Sequence, residues 1–317
     1  MLSLVVPIYR NEENIPSLLE ALINLDRDLQ HQMEVVFVVD GSPDYSHALL
    51  TRALRTGLFK AQLINLSRNF GSFSAILAGL ARAQGTHMAV MAADLQEPPE
   101  LVLAFDRILR ADEADVVIGS RMSRQDPGVT KIFSTVYWKL YRMLVQSETP
   151  PGGVDIFACN AQVRDTLVAM RERNSSLVGL LLWSGFRRVG VPYERRMREV
   201  GRSAWTFSKK LRYMTDSIYG FTDLPVRLLT RVGLIGVIGS VVFGLVVVLA
   251  RLANLIVIPG YTATITMVAF FGALNCLGLG IIGNYVWRTF ENTKSRPNSI
   301  VSSIEHFPSP RPSKPAN

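Results

Sequence analysis

The residues with the clearest chemical potential in this 317-residue chain are an acid and an amide at the end of an apolar run. Residues Met88 to Ala92 would be buried as a strand, and Asp94 and Gln96 follow directly. Pro98 and Pro99 prevent the strand from continuing. Open α/β sheets bind ligands beyond the carboxyl ends of their strands, and a lone acid there suits a hard cation that bridges phosphate oxygens. The residues alone leave equally open an Asp that caps a helix beginning near Pro99.

Three further loops contain groups that can contact a base, a ribose or a phosphate, at 7–13, 38–44 and 66–71. Asp40 can accept hydrogen bonds from a base or a ribose, and Arg68 supplies a cationic fork for phosphate. On the residues alone, an ordinary turn is the favoured interpretation at Asp40. The chain has no G-x-x-x-x-G-K-[ST] and no G-x-G-x-x-G motif. This argues against a nucleoside triphosphatase and a dinucleotide enzyme.

These loops follow a regular alternation of short apolar runs and amphipathic stretches over the first 120 residues. The alternation predicts strands separated by helices, and therefore a mainly parallel sheet covered on both faces. The predicted strands are Leu2–Val6, Glu34–Val39, Ala61–Asn65, His87–Met91 and Asp115–Ile118. The predicted helices are 14–28, 45–56, 72–83 and 99–110.

Charge and cysteine content narrow the class of protein. The net charge of +8 indicates an anionic partner, but the basic residues concentrate between Arg187 and Arg212, just before long apolar runs. A bilayer surface and phosphate ligands explain this better than nucleic acid. The chain opens without a charged leader, so we expect no signal peptide. Cys159 and Cys276 form neither a disulfide framework nor a zinc spacing, which fits a reducing, cytosolic setting.

Two uncharged apolar runs near the end predict a transmembrane hairpin, at about 232–251 and 262–287. Basic residues flank one side of it, which by the positive-inside rule places the N-terminal region and the tail in the cytoplasm. Before the hairpin, apolar residues recur at helical spacing over 207–221; this stripe fits an interfacial helix, and a core-facing helix would show the same stripe. Glycines in the hairpin would allow close contact within or between protomers, as in a dimer or tetramer. The Pro-rich tail after Ile304 is expected to be disordered.

Several motifs, in one order along the chain, resemble family 2 glycosyltransferases of the polyprenyl-phosphate type, such as bactoprenol glucosyltransferases and dolichyl-phosphate mannose synthases. They are VVPIYRNEE at 5–13, VDGSPD at 39–44, SRNFG at 67–71, ADLQEPPE at 93–100, GSR at 119–121, GVD at 153–155, REVGRSAW at 198–205 and RTFENTKSRP at 288–297. The resemblance implies an inverting enzyme with a GT-A (Rossmann-like) domain, a nucleotide-sugar donor with UDP or GDP, and a polyprenyl-phosphate acceptor at the inner membrane. It implies cytoplasmic residues 1–200, juxtamembrane helices in 201–230, the hairpin in 231–288 and a tail from 289.

The resemblance also implies roles for individual residues. Those expected to bind the nucleotide sugar are Pro7, Tyr9, Asn11, Glu12, Asp40, Gly41, Ser42, Arg68, Asn69, Gly71 and Asp94. Those expected at the acceptor phosphate or the membrane are Arg121, Arg198, Ser203, Trp205, Lys209, Lys210 and Arg212. Asp94 and Asp155 are the expected catalytic residues, Asp155 orienting the acceptor or steadying positive charge on the sugar. The residues alone leave Asp155 open as a helix N-cap.

The chain departs from the family pattern at two acids. Val39 stands where the family commonly has the first Asp of D-D-G-S, and Ala92 where it has the first Asp of D-A-D-L-Q. Since Mg²⁺ needs only one or two carboxylates plus substrate phosphates, Asp94 with Gln96 is the expected ligand set for Mg²⁺ or Mn²⁺. Two alternatives stay open: a catalytically degenerate scaffold or partner subunit, and a basic membrane-surface binder of anionic lipid. The predicted product is a polyprenyl-phosphate sugar for cell-envelope glycan or glycolipid modification.

Overall fold

The architecture was derived from a computed structural model, which describes residues 1–121, 142–143, 149, 154–170, 172, 175–196, 207–253 and 260–309. Within these residues an eight-stranded sheet has the strand order β7-β5-β6-β4-β1-β2-β3-β8. The strands are β1 Leu2–Ile8, β2 Met33–Val39, β3 Ala61–Leu66, β4 His87–Val90, β5 Val116–Arg121, β6 Phe157–Asn160, β7 Arg188–Tyr193 and β8 Val301–Phe307.

The five predicted strands are all present, and their bounds differ from the predicted ones by three residues at most. The helices between them also form where they were predicted. These are α1 Ile15–Asp28, α2 Ser46–Leu54, α3 Ser72–Leu80 and α4 Glu100–Arg110. The central strands contain no exposed residue, which explains why their sequences are apolar almost throughout.

The sheet contains three strands that were not predicted, and two of them, β6 and β8, make it mixed because they pair antiparallel with their neighbours. β6 pairs antiparallel with both β4 and β5, β7 runs parallel to β5, and β8 pairs antiparallel with β3. The expectation of disorder after Ile304 is wrong for the next three residues, since β8 extends to Phe307 along the full length of β3. Pro308 then follows, and a proline cannot donate to a strand ladder.

Helices cover both faces of the sheet, as the alternating side chains of β1 illustrate. Leu4 and Val6 join a core with α1, α2 and α4, whereas Val5 joins the opposite core with α3. Two shorter helices, α5 Ala161–Ala169 and α6 Leu177–Trp183, complete the second core. Because strand side chains alternate between faces, the two cores together fix the register of β1.

The pairing pattern brings the informative loops together. β1, β2, β3, β4, β5 and β7 all run in one direction, and β6 runs against them. The loops that follow the parallel strands and the residues that precede β6 therefore meet at one end of the sheet. We call this the carboxyl end of the sheet.

Three helices follow the sheet domain along the chain: α7 Phe207–Phe221, α8 Leu224–Leu252 and α9 Tyr261–Thr293. By length and composition, the described residues include one stretch able to cross a bilayer, Phe270–Thr293. Both predicted spans are helical, but by this criterion only the second, within α9, is supported in the described residues. Large apolar side chains are exposed on both long helices, for example Ile235 at 70% and Leu279 at 69%.

The helix α7 contacts both the sheet domain, through Phe221, and α9, through Asp216 and Tyr219. A methyl group added at Gly179 of α6 would overlap the Phe221 ring, so the two helices pack closely there. For Phe221 the core-facing alternative therefore holds. Asp216 of α7 pairs with Arg288 of α9 at 2.6 Å, and Arg288 also lies 5.1 Å from the centre of the Tyr219 ring.

Candidate active site at the carboxyl end of the sheet

Asp40, directly after β2, organises the loop that follows β3. Its two carboxylate oxygens accept the backbone N–H groups of Phe70 at 2.7 Å and Gly71 at 2.8 Å. Burial raises the pKa of Asp40, against the lowering effect of these two hydrogen bonds. Gly41 has φ +55°, and a methyl group there would overlap the Arg68 backbone. The turn at Asp40 is thus built around the 67–71 loop.

The loops after β1 and β2 are joined by a network around Asp44. Its carboxylate accepts hydrogen bonds from Ser42 Oγ at 2.6 Å, Ser46 Oγ at 2.8 Å and the backbone N–H of Glu12 at 3.2 Å. Burial opposes this arrangement, but the hydrogen bonds lower the pKa of Asp44. Glu12 in return accepts from the backbone N–H of Tyr45 at 2.9 Å. Asp44 and Glu12 therefore hold the two loops together.

One of the residues predicted to bind the nucleotide sugar, Glu12, lines a depression of about 360 Å³ between the loops after β1 and β2. The depression is lined by Arg10, Glu12, Glu13, Pro43 and Asp44. The Tyr9 N–H donates to Asn11 Oδ1 at 3.1 Å, and Ser42 Oγ accepts from the Arg10 N–H at 2.7 Å. The Arg68 guanidinium lies over the Phe70 ring, 4.1 Å from its centre.

Asp94 lies in a tight turn beyond β4. Leu95 has φ +52°, and the N–H of Gln96 points to Asp94 Oδ1 at 3.5 Å. The helix α4 has Pro99 as its N-cap and no side-chain hydrogen bond at that cap. The capping alternative for Asp94 is therefore wrong. The carboxylate lies at the carboxyl end of the sheet instead.

Asp155 precedes β6 at the same end of the sheet and is held by two side chains. Arg121, the last residue of β5, forms an ion pair with Asp155 Oδ2, and Tyr193 donates its hydroxyl to the same oxygen at 3.1 Å. Burial and then the charge of Asp155 raise the pKa of Tyr193, which keeps the hydroxyl protonated as a donor. The helix cap in this region is Asn160, which accepts from the Val163 N–H. The N-cap alternative for Asp155 is therefore wrong.

Arg121 is 10% exposed at its side chain and was expected at the acceptor phosphate. Burial alone would lower its pKa, but the neighbouring Asp155 charge raises it. Its Nε is buried and has no hydrogen-bond partner among the residues that the structure describes. The guanidinium therefore retains a donor group beyond its pairing with Asp155.

Three residues of this site were not singled out from the sequence: Glu97, Tyr193 and Arg195. Glu97 is 1% exposed, and its pKa is raised to about 7 by burial first and then by the charge of Asp155. The charge of Arg195 lowers this pKa and the charge of Asp94 raises it. Two features of the sequence could have indicated these residues: Glu97 belongs to the 93–100 motif, and Tyr193 ends an alternating apolar pattern on β7.

Arg195 connects the Asp94 turn to the segment after β7. Its guanidinium donates to Gln96 Oε1 at 2.7 Å and lies 3.4 Å from Glu97 Oε1. The backbone N–H of Arg196 donates to the Gln96 carbonyl at 2.9 Å. The Gln96 oxygen that was expected to reach a metal ion therefore accepts a hydrogen bond from Arg195. In the described part of the chain, no three His, Cys, Asp or Glu side chains cluster as metal ligands.

The remaining predicted acceptor residues have no described side chains. Arg198, Ser203 and Trp205 lie outside the described residues, and Lys209, Lys210 and Arg212 are known only as part of the α7 backbone. The last described residue before them, Arg196, lies beside the Asp94 turn.

Comparison with known proteins assigns the chain to a family. Residues 3–169 match the family model described as glycosyl transferase family 2. The prophage bactoprenol glucosyl transferase homolog of Escherichia coli is 28% identical over 96% of this chain and 99% of its own. The undecaprenyl-phosphate 4-deoxy-4-formamido-L-arabinose transferase of Klebsiella pneumoniae is 28% identical over 96% of this chain and 94% of its own.

Among solved structures, a mannosyltransferase of Pyrobaculum calidifontis in complex with GDP-Man and Mn²⁺ superposes with a TM-score of 0.47. The two are 16% identical over 88% of this chain and 86% of the other. The family match spans the Asp40, Asp94 and Asp155 positions, and the relatives align along nearly the whole chain. The chain thus belongs to glycosyl transferase family 2 and is a glycosyltransferase, and the relatives named above are similar enzymes named for bactoprenol and undecaprenyl phosphate.

Proposed function

We propose that this chain transfers a sugar from a UDP- or GDP-sugar to a polyprenyl phosphate at the cytoplasmic face of the inner membrane. The observation that carries the proposal is the meeting of two acids at the carboxyl end of the sheet. Asp94 follows β4 and Asp155 precedes β6, and these two strands pair with each other up to Val90 and Phe157. Asp155 is held by Arg121 and Tyr193. A donor diphosphate and an acceptor phosphate can react between these groups.

The nucleotide would bind across the loops after β1, β2 and β3. Asp40 fixes the 67–71 loop, and Asp44 joins the first two loops, so the three loops present one preformed surface. Preformed sites bind with a smaller loss of conformational entropy. Tyr9, Glu12 and Arg68 are the side chains we assign to the nucleotide on that surface.

The reaction is a displacement at the anomeric carbon. An oxygen of the lipid phosphate forms the new bond, the bond to the diphosphate oxygen breaks, and the electron pair leaves with the nucleoside diphosphate. The acceptor needs little help from a base, because a phosphate monoester with its second pKa near about 6 is largely dianionic at neutral pH. Asp155 then orients the acceptor or stabilises positive charge on the sugar ring, rather than removing a proton.

A divalent ion, Mg²⁺ or Mn²⁺, fits this site only in part. Asp94 is the carboxylate that would hold it, together with the diphosphate oxygens of the donor. When bound, such an ion offsets the negative charge that develops on the leaving diphosphate. The Gln96 oxygen already accepts one hydrogen bond from Arg195, so its second lone pair is the one that would face the ion.

The acceptor lipid would be met at the membrane by the three helices after the sheet domain. We propose that α8 and α9 form the transmembrane hairpin, with both chain ends cytoplasmic, and that α7 lies near the head groups. The exposed apolar side chains of α8 and α9 support this proposal, as does the candidate span in α9. Arg227 and Arg231 near the start of α8, and Lys294 and Arg296 after α9, would lie on the cytoplasmic side. We also propose a homo-oligomer, since the glycines of the hairpin would allow close helix contact between protomers.

The deciding experiment is transfer to a short polyprenyl phosphate by the full chain in lipid, with a panel of UDP- and GDP-sugars. We expect a glycosylated lipid, detected by mass spectrometry, with one or a few donors. Asp155→Asn should lower the rate by about 100-fold or more while the donor still binds, since electrostatic stabilisation of this kind has that magnitude. Asp165→Asn, at a side chain that is 69% exposed on α5, is the matched control and should be neutral.

Two other outcomes would contradict the proposal. Nucleotide-sugar binding without transfer to any polyprenyl phosphate would favour a degenerate subunit, which the buried Val39 and the loss of an acid at Ala92 make a specific alternative. Liposome binding that depends on anionic lipid, with no nucleotide-sugar binding at all, would favour a membrane-surface binder.

A further inference from the structure

We infer that Arg195 contacts the diphosphate of the donor and supplies part of the positive charge that a divalent ion at this site would supply. This inference rests on the proposed function and names a further binding residue for that site. It starts from the contacts of one side chain, Arg195, which lies two residues beyond β7 at the carboxyl end of the sheet. Its side chain is 31% exposed, so one part is held and another part faces solvent.

The buried part of the Arg195 side chain is fixed by the turn after β4, which contains Asp94, Gln96 and Glu97. The guanidinium donates to Gln96 Oε1 at 2.7 Å and lies 3.4 Å from the carboxylate of Glu97, which is 1% exposed. Arg195 is thus bound to the amide oxygen that was expected to face the cation. A guanidinium has five N–H donors, and among the residues that the structure describes these two contacts leave others for an anion. It also keeps its charge at any physiological pH.

The absence of an acid at position 92 gives a reason for a positively charged side chain at this site. With Ala92 in place of an acid, Asp94 is the one carboxylate of the D-x-D pattern that remains to attract a divalent ion. Fewer charged ligands weaken the binding of a divalent ion, as the tuning of calcium sites by ligand charge illustrates. A guanidinium fixed on Gln96 and Glu97, in the turn that contains Asp94, offers the diphosphate a bidentate cation that needs no metal.

Other arginines near the site are less suited to this role. Arg121 is paired with Asp155, and Arg68 lies over the Phe70 ring beyond β3. Arg196 is 54% exposed and pairs with Glu100, which is 69% exposed, on the outer side of α4. Arg196 therefore makes a matched control: it is adjacent in sequence, carries the same charge, and points to a solvated partner.

The test measures the binding of UDP and of GDP to the full chain in lipid nanodiscs by calorimetry, once with excess EDTA and once with Mg²⁺. We expect the wild-type chain to bind one of them in EDTA. Arg195→Met should weaken that binding by about tenfold or more, as expected for the loss of hydrogen bonds to a charged group. Arg195→Lys should be intermediate, because it keeps the charge and loses the planar fork. Arg196→Met should bind like the wild type.

The results separate this inference from the proposed function. If Arg195→Met binds in EDTA as tightly as wild type, or if wild-type binding requires Mg²⁺ absolutely, the inference is overturned, while lipid glycosylation can still proceed. If neither nucleotide binds under either condition, the proposed function falls with it. A thermal unfolding midpoint for each variant, measured in the same nanodiscs, identifies any variant that has lost its fold. In that case Arg195→Lys, compared with Arg196→Lys, decides the question.

Discussion

The hydroxyl of Tyr193 donates a hydrogen bond to Oδ2 of Asp155 at 3.1 Å. The two residues are 38 positions apart in the sequence. Tyr193 is the last residue of β7 and Asp155 lies just before β6, so they meet because β7 and β6 lie on either side of β5. Arg121 reaches the same oxygen from β5. Asp155 is therefore oriented by the sheet itself, and its orientation can be tested separately from its charge.

Tyr193→Phe removes that hydrogen bond and leaves the ring. We expect the turnover number to fall by about five- to tenfold, since a net hydrogen bond contributes on the order of 1 kcal/mol, with little change in the KM for the donor. The measurement is steady-state transfer at saturating lipid. An equal loss in both kcat and donor affinity would contradict a positioning role for Tyr193, as would an unchanged rate.

Asp40→Asn should loosen the 67–71 loop. An amide has one accepting oxygen and so cannot satisfy the N–H groups of both Phe70 and Gly71. The unsatisfied donor should cost about 1–3 kcal/mol of folding free energy and weaken nucleotide binding. Chemical unfolding in detergent and calorimetry with the nucleotide measure the two effects. Asp28→Asn, at an exposed position that ends α1, should change neither.

Gly41→Ala and Gly57→Ala form a matched pair. Both glycines have positive φ, +55° and +74°, which costs an alanine roughly 1 kcal/mol. A methyl group at Gly41 would also overlap the Arg68 backbone, whereas at Gly57 it would meet nothing within 4 Å. We expect the unfolding midpoint to fall clearly further for Gly41→Ala, and nucleotide affinity to fall for that variant alone. Equal effects would show that the close approach of the two loops is unimportant.

The thiol of Cys159 should resist alkylation in the folded protein. It is fully buried on β6, and burial raises its pKa to about 12. At pH 8 only about one thiol in ten thousand would be ionised, and the thiolate is the reactive form. In a Cys276→Ser background, iodoacetamide labelling followed by mass spectrometry should be over 100-fold slower without urea than with it. Labelling of the folded chain at the rate of a free thiol would contradict this placement.

The sequence was sufficient to predict β1 to β5 and the helices between them, because buried parallel strands are apolar throughout and their helices are amphipathic. β7 was missed since its apolar residues, Val189, Val191 and Tyr193, alternate within a basic segment that drew attention to its charges. β8 was missed because the prolines from Pro308 onward indicated disorder, while the strand ends just before them.

For the candidate site, the sequence indicated individual residues but not the contacts between them. Motif positions identified Asp40, Asp94 and Asp155 as candidates. The pairing of Gln96 with Arg195 spans 99 residues, and it follows from a strand that was not predicted. The burial of Glu97 likewise depends on what packs around it, which spacing along the chain does not reveal.

The strand β8 has a practical consequence for work on this protein. After α9 the chain returns to the sheet, where the Ser67 N–H donates to the Ile300 carbonyl and β8 then covers β3. A version truncated at Thr293 would leave β3 as an uncovered margin that can pair with another molecule, and would free the loop containing Arg68. Affinity tags are therefore better fused after Phe307, and fragments that end before α8 should aggregate unless this last strand is supplied separately.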